Sequence, residues 1–271
     1  MGVRGPIAKM KSVLESPVRY TLPVGDAALP INERIGERMS LSFDGEIRCI
    51  HCDRKIKKSF QQGYCYPCFQ SLAQCDRCIV KPELCHYHAG TCREPEWGET
   101  HCLIPHSVYL SNTSKLKVGV TRGVDPTTRW IDQGAAEALV IRRAKDRLEA
   151  GRIEVALGEF VADKTNWRQM LKGPPKPVSL PDERDRLIGL LADKVGSDAI
   201  PGSPLEGAVP VAIEYPVSEY PRKVVSHNLD KNPVVDGTLQ GIKGQYLILD
   251  SGVINMRKYG GYHLTLDTLD T

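Results

Sequence analysis

The 271-residue chain has no apolar run long enough to cross a bilayer, which excludes a helical membrane span. Its first residues, MGVRGPIAKMKSVLESP, lack the apolar core of a secretory signal, so the expected location is the cytosol. Strong charge of either sign is missing too. The formal net charge is only +3, so any surface for nucleic acid must be a local patch. There is no internal repeat, which argues against a solenoid or propeller. Cysteine is absent outside residues 49–102, and all nine lie within that stretch. In a reducing compartment such clustering points to metal rather than disulfides, and an odd count is no obstacle because metal-bound thiolates need not pair.

The cysteines form paired knuckles: Cys49-x-x-Cys52, Cys65-x-x-Cys68, Cys75-x-x-Cys78 and Cys85-x-x-His88. A two-residue gap lets two side chains of one tight turn reach the same ion, and two knuckles close a tetrahedral zinc site. Four knuckles therefore predict two Zn2+ sites. The first pair has zinc-ribbon spacing. In the second, Cys92 can replace His88, and Cys102, His101 or His106 can compete; the knuckles can also interleave. Iron–sulfur is the alternative, with the paired knuckles favouring zinc. Between the first two knuckles lie Arg54, Lys55, Lys57, Lys58, Phe60 and Tyr64. Cations neutralise phosphates and aromatic rings stack on bases, so this loop is a candidate nucleic-acid contact.

The rest reads as an α+β protein. Residues 1–48 look like short strands, with Asp44-Gly45 in SLSFDGEIRCI signalling a hairpin turn. The cysteine block, 49–105, has little periodic apolar pattern and needs metal to fold. Over 106–172 the pattern is strand, strand, helix, strand, helix: VYLS and KLKVGVTR joined at Asn112-Thr113-Ser114, DPTTRWIDQGA stopping near Gly134, EALVIRRA, then one long helix from DRLEAGRIEV to RQML. A proline-rich linker, 173–181, precedes a helix and a β-rich region, 182–271, expected to form a small antiparallel barrel or sheet, with the N-terminal hairpin able to complete it. Tyr246, Tyr259 and Tyr262 stand beside Lys243, Arg257 and Lys258 there, which fits either strand binding or plain sheet packing.

The stretch VYLSNTSKLKVGVTR…TRWIDQGA…AGRIEVALGEF resembles the GIY-YIG nuclease superfamily over about residues 106–172. The whole chain also resembles an uncharacterised bacterial family that joins a cysteine-rich zinc module to this domain. The nuclease resemblance implies an α/β domain with a small antiparallel sheet. It implies Tyr109 as base or positioner toward an attacking water, Arg129 as a phosphate grip, and Glu154 as ligand to one Mg2+. The family's second tyrosine is Lys117 here, as in some of its members, and supplies a second positive charge.

Three functions follow as expectations. The first is a zinc-containing nucleic-acid-binding protein whose middle domain does not cut. The second is a Mg2+-dependent structure-specific endonuclease. The third is a zinc-knuckle adaptor that docks protein partners. The residues do not choose between DNA and RNA, and no membrane partner is expected.

Overall fold

The computed structural model describes residues 2–161, 166–205 and 207–269, and every strand pairing within its sheets is antiparallel. In chain order the first strands are β1 (Val3–Pro6), β2 (Lys11–Val13), β3 (Arg19–Val24), β4 (Ala27–Pro30), β5 (Arg38–Arg48) and β6 (Lys55–Ile56). Next come β7 (His106–Asn112), β8 (Leu116–Arg122), β9 (Glu137–Ala144), β10 (Ser203–Pro204) and β11 (Val211–Ala212). The last are β12 (Val234–Lys243), β13 (Tyr246–Leu249), β14 (Gly252–Asn255) and β15 (Tyr262–Leu269). The helices are α1 (Tyr66–Ser71), α2 (Pro95–His101), α3 (Thr127–Asp132), α4 (Arg147–Gly158), α5 (Trp167–Met170) and α6 (Leu180–Val195). None is long and apolar enough to cross a membrane.

The chain divides into two compact units, each built from separated segments. Unit 1 comprises Met1–Gln70, Leu171–Gly173 and Glu214–Thr271. Its larger sheet runs β1-β15-β5-β12-β13-β14, with β6 also on β5, and the smaller runs β2-β3-β4. Among the described residues both stay open and no barrel closes. In β12 alternation buries Val235 and Leu239, and a register shift between Leu239 and Gly241 then brings Ile242 inside. Asp44-Gly45 makes no hairpin, contrary to the local turn signal. β5 runs straight through it, and its register with β15 steps from Phe43↔Leu264 to Ile47↔Tyr262. Gly45, at φ +79°, sits in that bulge, and the Asp44 carboxylate accepts from Arg4 Nε (2.6 Å) and Thr265 Oγ1 (3.1 Å).

Unit 2 comprises Ser71–Met170 and Pro174–Ile213. Its sheet runs β10-β9-β7-β8, so β7 is central between β8 and β9. The order strand, strand, helix, strand, helix is present as β7, β8, α3, β9 and α4. One face of this sheet carries Val108, Leu110 and Val118, which pack with Ile153 and Leu157 of α4 and Leu187 and Leu191 of α6. Asp146 caps α4 by accepting from the Glu149 backbone N–H (2.8 Å), and the Glu149 carboxylate accepts from the Lys145 N–H (2.7 Å). The expected long helix is shorter than its pattern. α4 stops at Gly158, and the helix after Asn166 is the separate α5; residues 162–165 of the expected span lie outside the described residues. Ser179 and Pro181 start α6, and Gly196, at φ +86°, ends it.

Candidate metal centre and polar cluster

Cys49 and Cys52 sit on a tight turn in which the Asp53 N–H donates to the Cys49 carbonyl (2.9 Å) and Asp53 takes φ +57°. Cys65 and Cys68 flank the start of α1, where the Cys68 N–H points at Cys65 Sγ (3.5 Å). The two turns bring all four sulfurs within 4.8 Å of one another, and Cys52 Sγ lies 3.7 Å from Cys65 Sγ. Four thiolates at about 2.3 Å from one zinc stand about 3.8 Å apart, so this is the geometry of a tetrathiolate site that could hold an ion such as zinc. The thiols already share their protons unequally. The Arg54 backbone N–H draws Cys52 down to about 6, and burial pushes Cys68 up.

The loop hung from this centre is exposed at Arg54, Lys55, Lys57 and Lys58. Phe60 and Tyr64 close it with paired backbone bonds of 2.8 and 2.9 Å. Phe60 packs against Tyr66 and Phe69, and Lys58 Nζ lies 5.4 Å from its ring centre. Phe60, Tyr64 and Phe69 are half-buried and hold the loop's shape, while Tyr66 and the cations face solvent. In contrast, Tyr259, Tyr262 and Lys243 are buried, with Lys243 Nζ donating to the Gly173 carbonyl (3.1 Å), so that aromatic group packs the core of unit 1.

The second cysteine group is arranged differently. Asp76, Cys78 and His86 bring one donor atom each within 4.8 Å of one another. Asp76 is also held by Arg93 Nε (2.7 Å), and His86 Nδ1 by Thr91 Oγ1 (2.8 Å). Cys78, Cys85, Cys92 and Cys102 line one small, partly open cavity with Asp76, His86 and Arg93. Cys75 is buried but does not line it. His88 is 59% exposed, with Nε2 3.9 Å from Asp146 Oδ2. His101 stacks on Trp97 at 4.1 Å, and the buried His106 is held at Nδ1 by the Ile104 carbonyl (2.7 Å). The knuckle pattern placed Cys75 and His88 at the second ion, with Cys92 and Cys102 as alternatives; Cys92 and Cys102 line the cavity, and Cys75 and His88 do not.

In unit 2 the four side chains singled out by the nuclease resemblance lie within electrostatic reach of one another. Tyr109 on β7 stands opposite Gly119 on β8, and Lys117 is two residues back on the same face. Tyr109 is fully buried and meets the edge of Trp130 at 6.0 Å between ring centres. Gly119 is what admits the ring: a Cβ there would lie 2.7 Å from Tyr109 Cζ and Oη. Gln133, just past α3, bridges outward. Its amide NH2 donates to Tyr109 Oη (3.0 Å), and its carbonyl accepts from Arg129 Nε (3.0 Å) and Nη2 (3.2 Å). Burial pushes the Tyr109 hydroxyl up to about 12. Burial also raises the Glu154 carboxyl, while Lys117 and Arg129 act against that rise. Ser111 Oγ, opposite Lys117, and Trp130 Nε1 are buried without a hydrogen-bond partner. Gln133 carried no signal in the sequence beyond its place in TRWIDQGA.

Antiparallel sheets, a tetracysteine cluster able to hold a metal ion and this buried polar cluster define a mixed α/β protein. The chain belongs to the family described as "Protein of unknown function (DUF2797)", whose pattern matches residues 36–264. Comparisons with curated proteins and with solved structures gave no match.

Proposed function

We propose that the protein binds nucleic acid, using the zinc-held basic loop of unit 1 and a phosphate-directed cluster in unit 2. The observation that carries this is the convergence of Lys117, Arg129 and Glu154 around the buried Tyr109–Gln133 pair. A guanidinium whose Nε and Nη2 are fixed by an amide keeps its remaining donors in one orientation, which suits a phosphate's oxygens. The unpartnered Ser111 and Trp130 donors beside it support a ligand or ordered water there. With its hydroxyl buried, Tyr109 acts on Arg129 through Gln133 rather than taking a proton from solvent.

A second reading, Mg2+-dependent phosphodiester hydrolysis, is favoured by one feature. Glu154 is a half-buried carboxylate flanked by two cations, as expected of a group kept for a metal and its phosphate ligand. The cation would polarise the phosphate and activate water. Lys117 and Arg129 would hold the phosphate and balance its charge.

One set of samples tests both. Fluorescence anisotropy with structured RNA and branched DNA across a salt series reads binding, and gels with and without Mg2+ read cleavage. Binding that weakens steeply with salt, with a slope reduced by about 3 on joint Lys55→Glu, Lys57→Glu and Lys58→Glu replacement, is expected. Affinity must also fall in Arg129→Ala. Metal-dependent products lost in Glu154→Ala would establish the second reading. Absence of binding to every probe at low salt would refute both and favour a protein-docking role.

A further inference from the structure

The cavity between Cys78, Cys85, Cys92 and Cys102 differs from the first centre in size and in the way the chain supplies its thiols. At the first centre the sulfurs are mutually within 4.8 Å. Among the described residues, no three of the four cavity thiols form such a group. The cavity is partly open and small, leaving about 10 Å3 to the centre of a water-sized sphere. Four thiolates drawn to about 2.3 Å from one shared ion would stand about 3.8 Å apart, a closeness that no three of these four reach. The spacing agrees. Cys78-x6-Cys85-x6-Cys92-x9-Cys102 delivers one thiol from each of four separate turns, whereas the first centre uses two paired knuckles.

We propose that Cys78, Cys85, Cys92 and Cys102 hold a cubane iron–sulfur cluster. In a cubane each thiolate binds a different iron, so the sulfurs stand roughly 4 Å from the centre and roughly 6 Å from one another. The four thiols here line one small cavity without three of them crowding to a single point. The surroundings suit an anionic cluster. Arg93 lines the cavity, and Arg147 donates from Nε to the Cys78 carbonyl (3.0 Å) while its backbone N–H donates to the Cys102 carbonyl (2.8 Å). One cation of α4 thus fixes the turns of two ligands and offsets charge beside them. Ala73, Asp76, His86, Tyr87 and Trp97 complete the lining, with Asp76 paired to Arg93, and the two large rings limit water, which protects such clusters. The site is independent of the nucleic-acid reading.

The test uses the full chain purified anaerobically from iron-replete cells, then reconstituted with ferrous iron and sulfide. Zinc, iron and acid-labile sulfide are measured together with the visible spectrum. About 1 zinc, about 4 iron and about 4 sulfide per chain, with a broad band near ~400 nm, are expected. Cys102→Ser and Cys92→Ser must lose iron and the band while keeping the zinc, which shows that the first centre and its unit remain folded. Cys75→Ser and His88→Ala must keep the cluster. Two zinc ions and no iron after reconstitution would overturn the proposal, as would one zinc and an empty second site. A second zinc lost in His86→Ala but kept in Cys85→Ser would assign Asp76, Cys78 and His86 instead. Loss of the cluster in Cys75→Ser but not Cys102→Ser would overturn the ligand set.

Discussion

Gly119→Ala tests whether the buried Tyr109 ring organises unit 2. In an unconstrained strand the change would stabilise by roughly 0.5–1 kcal/mol, because alanine has less backbone freedom to lose. Gly119 does not have a left-handed φ, so that gain is available. Opposing it, the new methyl would sit 2.7 Å from both Cζ and Oη of a fully buried ring. The ring has Trp130 at its edge and Gln133 on its hydroxyl, so it cannot swing aside freely. Overpacking of this kind costs about 1–3 kcal/mol, and displacing the hydroxyl from Gln133 about 1 more. The expected net loss is about 1–3 kcal/mol. Urea unfolding followed by tryptophan fluorescence reads it locally, since Trp97, Trp130 and Trp167 all lie in unit 2. Gly189→Ala, in the middle of α6 with open space around it, is the control and should stabilise by about 0.5–1 kcal/mol. In a Tyr109→Leu background the cost at Gly119 should shrink by more than about 1 kcal/mol. A Gly119→Ala protein as stable as the parent would refute the reasoning.

Three further outcomes are expected. Glu154→Gln should stabilise unit 2 at pH 7: the folded carboxyl is held above its unfolded value, so ionising it works against folding, and the gain should vanish as pH falls toward about 4. Cys52→Ser, or a zinc chelator, should release the ion of the first centre and lower the stability of unit 1, read by zinc release and circular dichroism. Gly151→Ala should destabilise by at least about 2 kcal/mol in the same fluorescence assay, because its Cβ would lie 2.2 Å from the Glu83 backbone nitrogen and 2.5 Å from the Pro82 carbonyl carbon.

Where local chemistry decides, the sequence was readable. EALVIRRA is strand β9 from Glu137 to Ala144, and the turn after Asn112 joins β7 to β8. Gly134, at φ +71°, follows α3 as its stop signal implied. Where distant chain decides, it was not. Asp44-Gly45 has the composition of a hairpin turn, but β15 supplies partners on both sides and makes it a bulge. The helix pattern ran on past Gly158, while α6, read as part of the C-terminal region, buries its leucines in unit 2. The first four cysteines were legible because a knuckle is local. The cysteines that line the cavity were not separable from Cys75 and His88, because only the fold decides which side chains share one cavity. Gln133 was invisible for the same reason: its role is defined by two partners from different elements.

The placement of β15 also governs the order in which the chain can be finished. β15 lies between β1 and β5, pairing Val3 with Leu266 and Leu41 with the same residue from the other side. On the ribosome, β1 and β5 emerge first and wait for a strand made after all of unit 2. The first metal centre, Cys49 to Cys68, needs only its own two turns and can load during that interval. Ion capture would then precede sheet closure, giving the nascent chain an anchored segment long before its principal sheet exists.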